Sequence, residues 1–175
     1  FRARGEYILP LDDDDKIAPR FLEATLHTQA GNGGNIIAYT DYFKWDGADK
    51  AEMHKLPDYD FDVLVQRDIM PAAALYQRAA WKKVGGYASD FEHGLEDWDF
   101  WIRLGAVGVC GVRVPSPLFY YRLWPDSMRT RMKSDPTKFS AAQAQVLSNN
   151  LKVWKGERPM GCCGGGKKTT TPLTG

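Results

Sequence analysis

Four consecutive aspartates, Asp12 to Asp15, follow an apolar stretch, Tyr7-Ile8-Leu9-Pro10-Leu11, that reads as a short buried strand. Crowding carboxylates at a strand end is costly unless a positive group shares the site. Carboxylate oxygens are hard ligands that suit Mg²⁺ or Mn²⁺, and those ions in turn grip phosphates. In open α/β sheets, ligands collect beyond the carboxyl ends of strands, where this run stands. The run therefore reads as a metal–diphosphate site. Three other readings compete. One is a solvated acidic turn in which Asp15 caps the next helix. Another is a protease tag, since Asp-Asp-Asp-Asp-Lys is such a sequence, although here a strand and an amphipathic helix flank it instead of a linker. The third is a phosphatase of the haloacid dehalogenase type, which also needs two aspartates after a strand. Lys16-Ile17 stands where its Gly-Thr would follow.

A second acidic centre is Glu96-Asp97-Trp98-Asp99-Phe100-Trp101-Ile102-Arg103-Leu104, after a Gly-rich loop. Its first two carboxylates sit where a helix would begin, and the macrodipole and backbone N–H groups there favour the ionised form. Asp99 and Arg103 are four apart and pair along the helix. Trp98 and Trp101 could stack on a sugar or simply fill the core. A capped helix with buried tryptophans is the plain alternative for the whole segment.

Of the remaining polar residues, Arg129, Arg131 and Lys133 form a basic loop that could close over a diphosphate, or could be solvated. His27, His54 and His93 are scattered without partners at metal spacing, and His93 stands near the Glu-Asp pair where it could line a cleft.

The elements that must position these groups alternate between strand and helix, which implies an α/β layer fold. A helix is expected from Pro19 to about Gln29, with Phe21, Leu22, Thr25 and Leu26 at helical spacing. Asn35 to Tyr39 reads as a strand, Asp46-Gly47 as a hairpin turn, and Met70 to Tyr76 as another strand. Arg78 to Val84 and Asp97 to Leu104 read as helices. Val107 to Val114 and Leu118 to Arg122 read as two strands joined through Pro115-Ser116-Pro117. Thr137 to Trp154 is a last helix with Phe139, Ala142, Val146 and Leu147 on one face. Residues 1–155 form the domain, and 156–175 a flexible tail rich in Gly, Lys and Thr.

Together these blocks resemble family 2 glycosyltransferases of the GT-A fold. Gly5 to Asp15, then Pro19 and Phe21-Leu22-Glu23, resembles the segment around that family's DXD motif. Ala73-Ala74-Leu75-Tyr76, Val84-Gly85-Gly86-Tyr87, Phe91, Gly94 to Leu104 and Tyr120-Tyr121-Arg122 follow in the family's order, so the resemblance covers about Ala3 to Met128. It implies a mainly parallel sheet flanked by helices, with the family's N-terminal units missing. It also implies that Asp12 lies near the donor nucleotide and Asp14 holds Mn²⁺ or Mg²⁺, with a shift onto Asp13 and Asp15 left open. Asp97 would be the catalytic base of an inverting transfer. The implied donor is a nucleotide sugar, met by Asp12, Asp14, Arg129 and Arg131. The implied acceptor is a glycan or glycolipid, with Glu96, Trp98, Trp101 and His93 lining its site. The family's histidine after the Tyr-Arg strand is replaced by Leu123-Trp124-Pro125, which leaves the third metal ligand open. Because the nucleotide-recognising units are absent, the chain by itself is expected to transfer sugar poorly and to self-associate through an exposed sheet edge. A non-catalytic nucleotide-sugar or glycan-binding module or inactive fragment, and a nucleotidyltransferase, are the alternatives.

Composition narrows the field further. The chain has 175 residues, 43% of them hydrophobic and 26% charged, with a formal net charge of +1. That is the make-up of a globular domain with a core and offers no electrostatic case for a nucleic-acid partner. No apolar run approaches a membrane span. Cys110 reads as a buried thiol, and Cys162-Cys163 fit no disulfide framework or metal spacing. A cytoplasmic location is expected, if need be peripheral to the inner face of a membrane.

Overall fold

The computed structural model describes residues 3–48, 50–92, 94–125, 127 and 134–157. His93, Arg129, Arg131, Lys133, Cys162, Cys163 and nearly all of the tail lie outside the described residues. In chain order the elements are β1 (Tyr7–Ile8), β2 (Lys16–Ile17), α1 (Phe21–Gly31), β3 (Ile36–Trp45), β4 (Ala51–His54), α2 (Phe61–Gln66), β5 (Leu75–Gln77), α3 (Arg78–Lys83), α4 (Glu96–Ala106), β6 (Cys110–Arg122), α5 (Pro136–Asn149) and α6 (Leu151–Trp154). No helix among them is long and apolar enough to cross a membrane.

The sheet is built around two long strands. Ile36-Ile37-Ala38-Tyr39-Thr40 is rich in β-branched and aromatic residues, and this half of β3 is buried throughout. It runs parallel to β6 from Ile36 opposite Cys110 to Trp45 opposite Arg122. The strand order is β1-β5-β3-β6-β2, with β4 on β3. Every other pairing is antiparallel: β1 with β5, β5 with β3, β4 with β3, and β2 with β6. The expected mainly parallel sheet is therefore a mixed one. A parallel pair needs a long crossover, and only β3 to β6 has one. β4 is joined to β3 by a hairpin, and β1, β2, β4 and β5 span two to four residues each.

The hairpin stands where Asp46-Gly47 signalled it. The Asp46 carboxylate accepts the N–H groups of Ala48 and Lys50, and the Trp45 indole donates to the Ala48 carbonyl. Gly47 has φ of 92°, which strains any side chain, and a Cβ there would fall 2.7 Å from Arg122 Nη2, so the guanidinium would have to shift. The two strands expected on either side of Pro115-Ser116-Pro117 are one, β6. A register shift around Thr40 and Asp41 lets the strand pass through both prolines, which cannot donate to the ladder.

Helix α1 is turned relative to its apolar pattern. It buries Phe21, Ala24, Thr25 and Gln29 and leaves Leu22 and Leu26 exposed. The cause is Gln29, whose amide donates to the carbonyls of Ile36 and Leu75 and stitches the helix to β3 and β5. The expected strand from Met70 is a largely buried, irregular segment that bends at Met70 and Ala72 and is regular only at Leu75–Gln77. The last helix breaks at Asn150 into α5 and α6 and buries Ala142, Val146 and Val153, while Phe139 and Leu147 stay exposed. Cys110 is buried.

Candidate functional site

The acidic run leaves β1 in a tight turn, closed by the Asp15 N–H donating to the Asp12 carbonyl at 3.2 Å. The turn folds the carboxylates of Asp12, Asp14 and Asp15 together, with one oxygen of each within 4.8 Å of the others. Asp13 is outside this group. Asp15 is anchored from behind: its Oδ1 accepts the Arg122 N–H at 2.8 Å, tying the turn to the end of β6. The Arg122 guanidinium in turn lies 5.1 Å from the Trp45 ring and 4.1 Å from the Trp124 ring, and the Lys16 ammonium sits 3.5 Å over Trp45. These cation–π contacts hold the backbone on which the acidic turn rests.

Three carboxylates so close repel one another. Burial, then the charges of Asp14 and Asp13, push Asp12 upward from the ordinary carboxylate range. Burial also lifts Asp15 to about 6, with the Arg122 N–H working against it and Asp12 and Asp14 adding to the rise. A divalent cation would relieve this repulsion, and three carboxylate oxygens at this spacing fit a hard ion that keeps other positions for water or phosphate.

The second acidic centre is delivered by an unusual helix start. Leu95, at the N-cap of α4, has φ of 71°, and Gly94 before it has φ of 87°. Leu95 is the sole non-glycine residue with positive φ among the described residues. Such a conformation costs roughly 1–2 kcal/mol, and here it aims Glu96 and Asp97 off the helix end. Asp97 Oδ1 accepts the Trp98 N–H at 2.8 Å. The helix end does not keep Asp97 as acidic as its position suggests. Burial first and the Glu96 carboxylate second raise it to about 6, against the N–H groups of Trp98 and Asp97, and the charge of Asp12 adds to the rise.

Behind this helix start lies a buried polar clamp. Asp99 is fully buried; it accepts from Arg103 Nε at 2.7 Å and from Asn150 Nδ2 at 2.8 Å. Arg103 also donates to the carbonyls of Val84 and Gly86, and Asn150 to that of Val146. The expected Asp99–Arg103 pair is thus present and belongs to the scaffold.

The two centres open into one cavity of about 830 Å³. Asp12 and Asp15 line it on one side, and Leu95, Glu96, Asp97 and Trp98 on another. Trp98 is nearly buried there, its indole donating to the Leu64 carbonyl at 2.6 Å. Trp101 is not in the cavity. It is fully buried against Tyr76 and Phe100, so its expected place in an acceptor site is corrected to the core. His93, Arg129 and Arg131, also singled out by sequence, lie outside the described residues.

Several lining residues escaped sequence reasoning. His54 reaches the wall because the hairpin register sets it opposite Tyr42, with ring centroids 4.8 Å apart. Lys55 and Arg67 are exposed cations on the wall, and Tyr121 adds an aromatic edge. Phe139 and Gln143 come from α5. The hairpin turn was the one signal that could have placed His54; the others depend on long-range packing.

Comparison with known proteins adds an independent line. Residues 1–146 match the family model described as "Glycosyltransferase like family 2". The uncharacterized protein y4gI of Sinorhizobium fredii is 30% identical over 102 residues, which are 58% of this chain and 11% of that protein. The crystal structure of S. aureus TarS superposes with a TM-score of 0.53 at 14% identity, over 86% of this chain and 28% of TarS. TarS 1–349 in complex with UDP gives 0.50 at 15%, over 87% and 48%. The chain thus spans about a tenth of the curated relative and less than half of these structures. At this identity the structural likeness shows the fold.

Proposed function

Because the chain belongs to the glycosyltransferase-like family 2, we propose that it carries the metal and acid–base centres of an inverting transfer of a sugar from a nucleoside diphosphate to an acceptor hydroxyl. The observation that carries this reading is the shared cavity: the acidic turn and Asp97 face the same space, close enough for the charge of Asp12 to raise the Asp97 carboxyl. Asp12 and Asp14, with Asp15 beside them, would hold Mn²⁺ or Mg²⁺, which when bound offsets the charge of a leaving diphosphate. Asp97 takes the proton from the acceptor hydroxyl as that oxygen attacks the anomeric carbon from the face opposite the leaving group. Glu96 orients the loop beside it and keeps its basicity up. Lys55 and Arg67 on the wall, and Arg129 and Arg131 further along the sequence, supply positive charge for the donor phosphates. The UDP of the TarS complex supports a uridine nucleotide as the first donor to try.

Calorimetry of UDP binding with and without Mn²⁺ tests the proposal. UDP should bind more tightly with Mn²⁺ present. The Asp12→Asn, Asp14→Asn double variant should lose that gain, and Asp13→Asn should keep most of it. Equal UDP affinity with and without metal, or an unaffected double variant, contradicts it.

A further inference from the structure

Helix α5 brings a different chemistry to the cavity. Among the described residues, Phe139 alone of the exposed large apolar side chains also lines the cavity; it is 37% exposed, whereas Tyr42, Trp98 and Phe119 in the same wall are 8% or less. Gln143 lies one helical turn further on the same face, about 6 Å along the axis. It too is exposed, and its amide offers two donors and an acceptor. An aromatic face and an amide one turn apart match the two sides of a sugar ring: its apolar C–H face and its hydroxyl edge. The wall is also firmly placed. Ala142 and Val146, beside them on the same half of α5, are buried, and the Asn150–Asp99 bond ties its end to the helix that carries Asp97.

We propose that Phe139 and Gln143 form the acceptor subsite, holding a saccharide ring by stacking on Phe139 and hydrogen bonding to Gln143. This inference rests on the transferase reading above, and it adds that the acceptor is itself a glycan and that α5 chooses it. Asn150 lies eleven residues past Phe139, about 16 Å along the helix. Phe139 thus lies well along α5 from the junction that holds Asp99, and the cavity of about 830 Å³ that it and Asp97 both line leaves room for an acceptor of more than one sugar.

The test uses four disaccharides, maltose, cellobiose, lactose and N,N′-diacetylchitobiose, as probes in saturation-transfer NMR. Calorimetry of UDP with Mg²⁺ runs in parallel on the whole chain. At least one disaccharide should bind more tightly than glucose. Phe139→Ala and Gln143→Ala should each weaken it, by about tenfold for Phe139, and leave UDP–Mg²⁺ affinity unchanged. Both positions are exposed, and Gln143→Ala in a helix surface keeps the fold. Disaccharide binding that both variants retain, or no disaccharide binding in a protein that binds UDP–Mg²⁺, overturns the subsite. Disaccharide binding through Phe139 without any UDP–Mg²⁺ binding upholds the subsite and overturns the donor site instead.

Discussion

Asp97 combines two demands that usually conflict. It accepts N–H groups at a helix start, which favours charge, yet burial and Glu96 raise it to about 6. A carboxylate with that affinity is mostly ionised at pH 7 and is a stronger base than a free aspartate. Asp97→Asn preserves size and the contact to Trp98 but removes the base, so turnover should fall about a hundredfold to ten-thousandfold with donor affinity kept. Glu96→Gln should be milder. In kcat/KM against pH, activity should be full at about pH 7 and above, half-maximal near 6, and decline below that as Asp97 takes up its proton. Glu96→Gln removes the repulsion that raises Asp97 and should move this limb to lower pH. Near-normal turnover in Asp97→Asn, with loss in Glu96→Gln, would place the base elsewhere.

Among the elements, α4 bears the most on the site, because its far side holds what its near side presents. Asp99 is a buried carboxylate whose partners come from α4, the Val84–Gly86 loop and the α5–α6 junction through Arg103 and Asn150. Removing one partner of a buried pair leaves the other uncompensated, at about 3–5 kcal/mol. Asp99→Ala should therefore lower unfolding free energy by about 3 kcal/mol or more in urea denaturation, at constant slope. A loss under about 1 kcal/mol would mean that the clamp is replaceable by water. The Asp99–Arg103 half of this clamp was legible at i,i+4 spacing, as were the acidic run, the Asp46-Gly47 hairpin and the start of α4. Asn150 was not, since nothing local marks it as a helix break. The apolar spacing of Leu22 and Leu26 misled because Gln29, a polar residue, decides which side of α1 faces the sheet. Trp101 could not be told from Trp98 by sequence; a difference of three positions puts one in the core and the other at the cavity. The sheet's direction was misread because strand–helix alternation does not reveal that most strands are short and joined by loops.

In the whole molecule the two acidic centres make the cavity a locus of stored repulsion in a chain of near-zero net charge. Asp15 and Asp97 bind their protons more tightly when folded than unfolded. Their cost is absent below about pH 4, grows as pH rises, and is complete above about pH 6. Mg²⁺ should offset it only where the groups are ionised. Scanning calorimetry should therefore show a larger rise in Tm with Mg²⁺ at pH 7 than at pH 5; an equal rise at both would locate the ion away from these groups. The central claim is that the acidic turn and the base share one electrostatic site. Carboxyl ¹³C NMR titration of Asp97, with and without Mg²⁺, addresses it most directly. The account predicts a midpoint near 6 without the ion, a clear fall when Mg²⁺ is added, and no fall in the Asp12→Asn, Asp14→Asn variant. An Asp97 midpoint that ignores Mg²⁺ in the wild-type protein would contradict it.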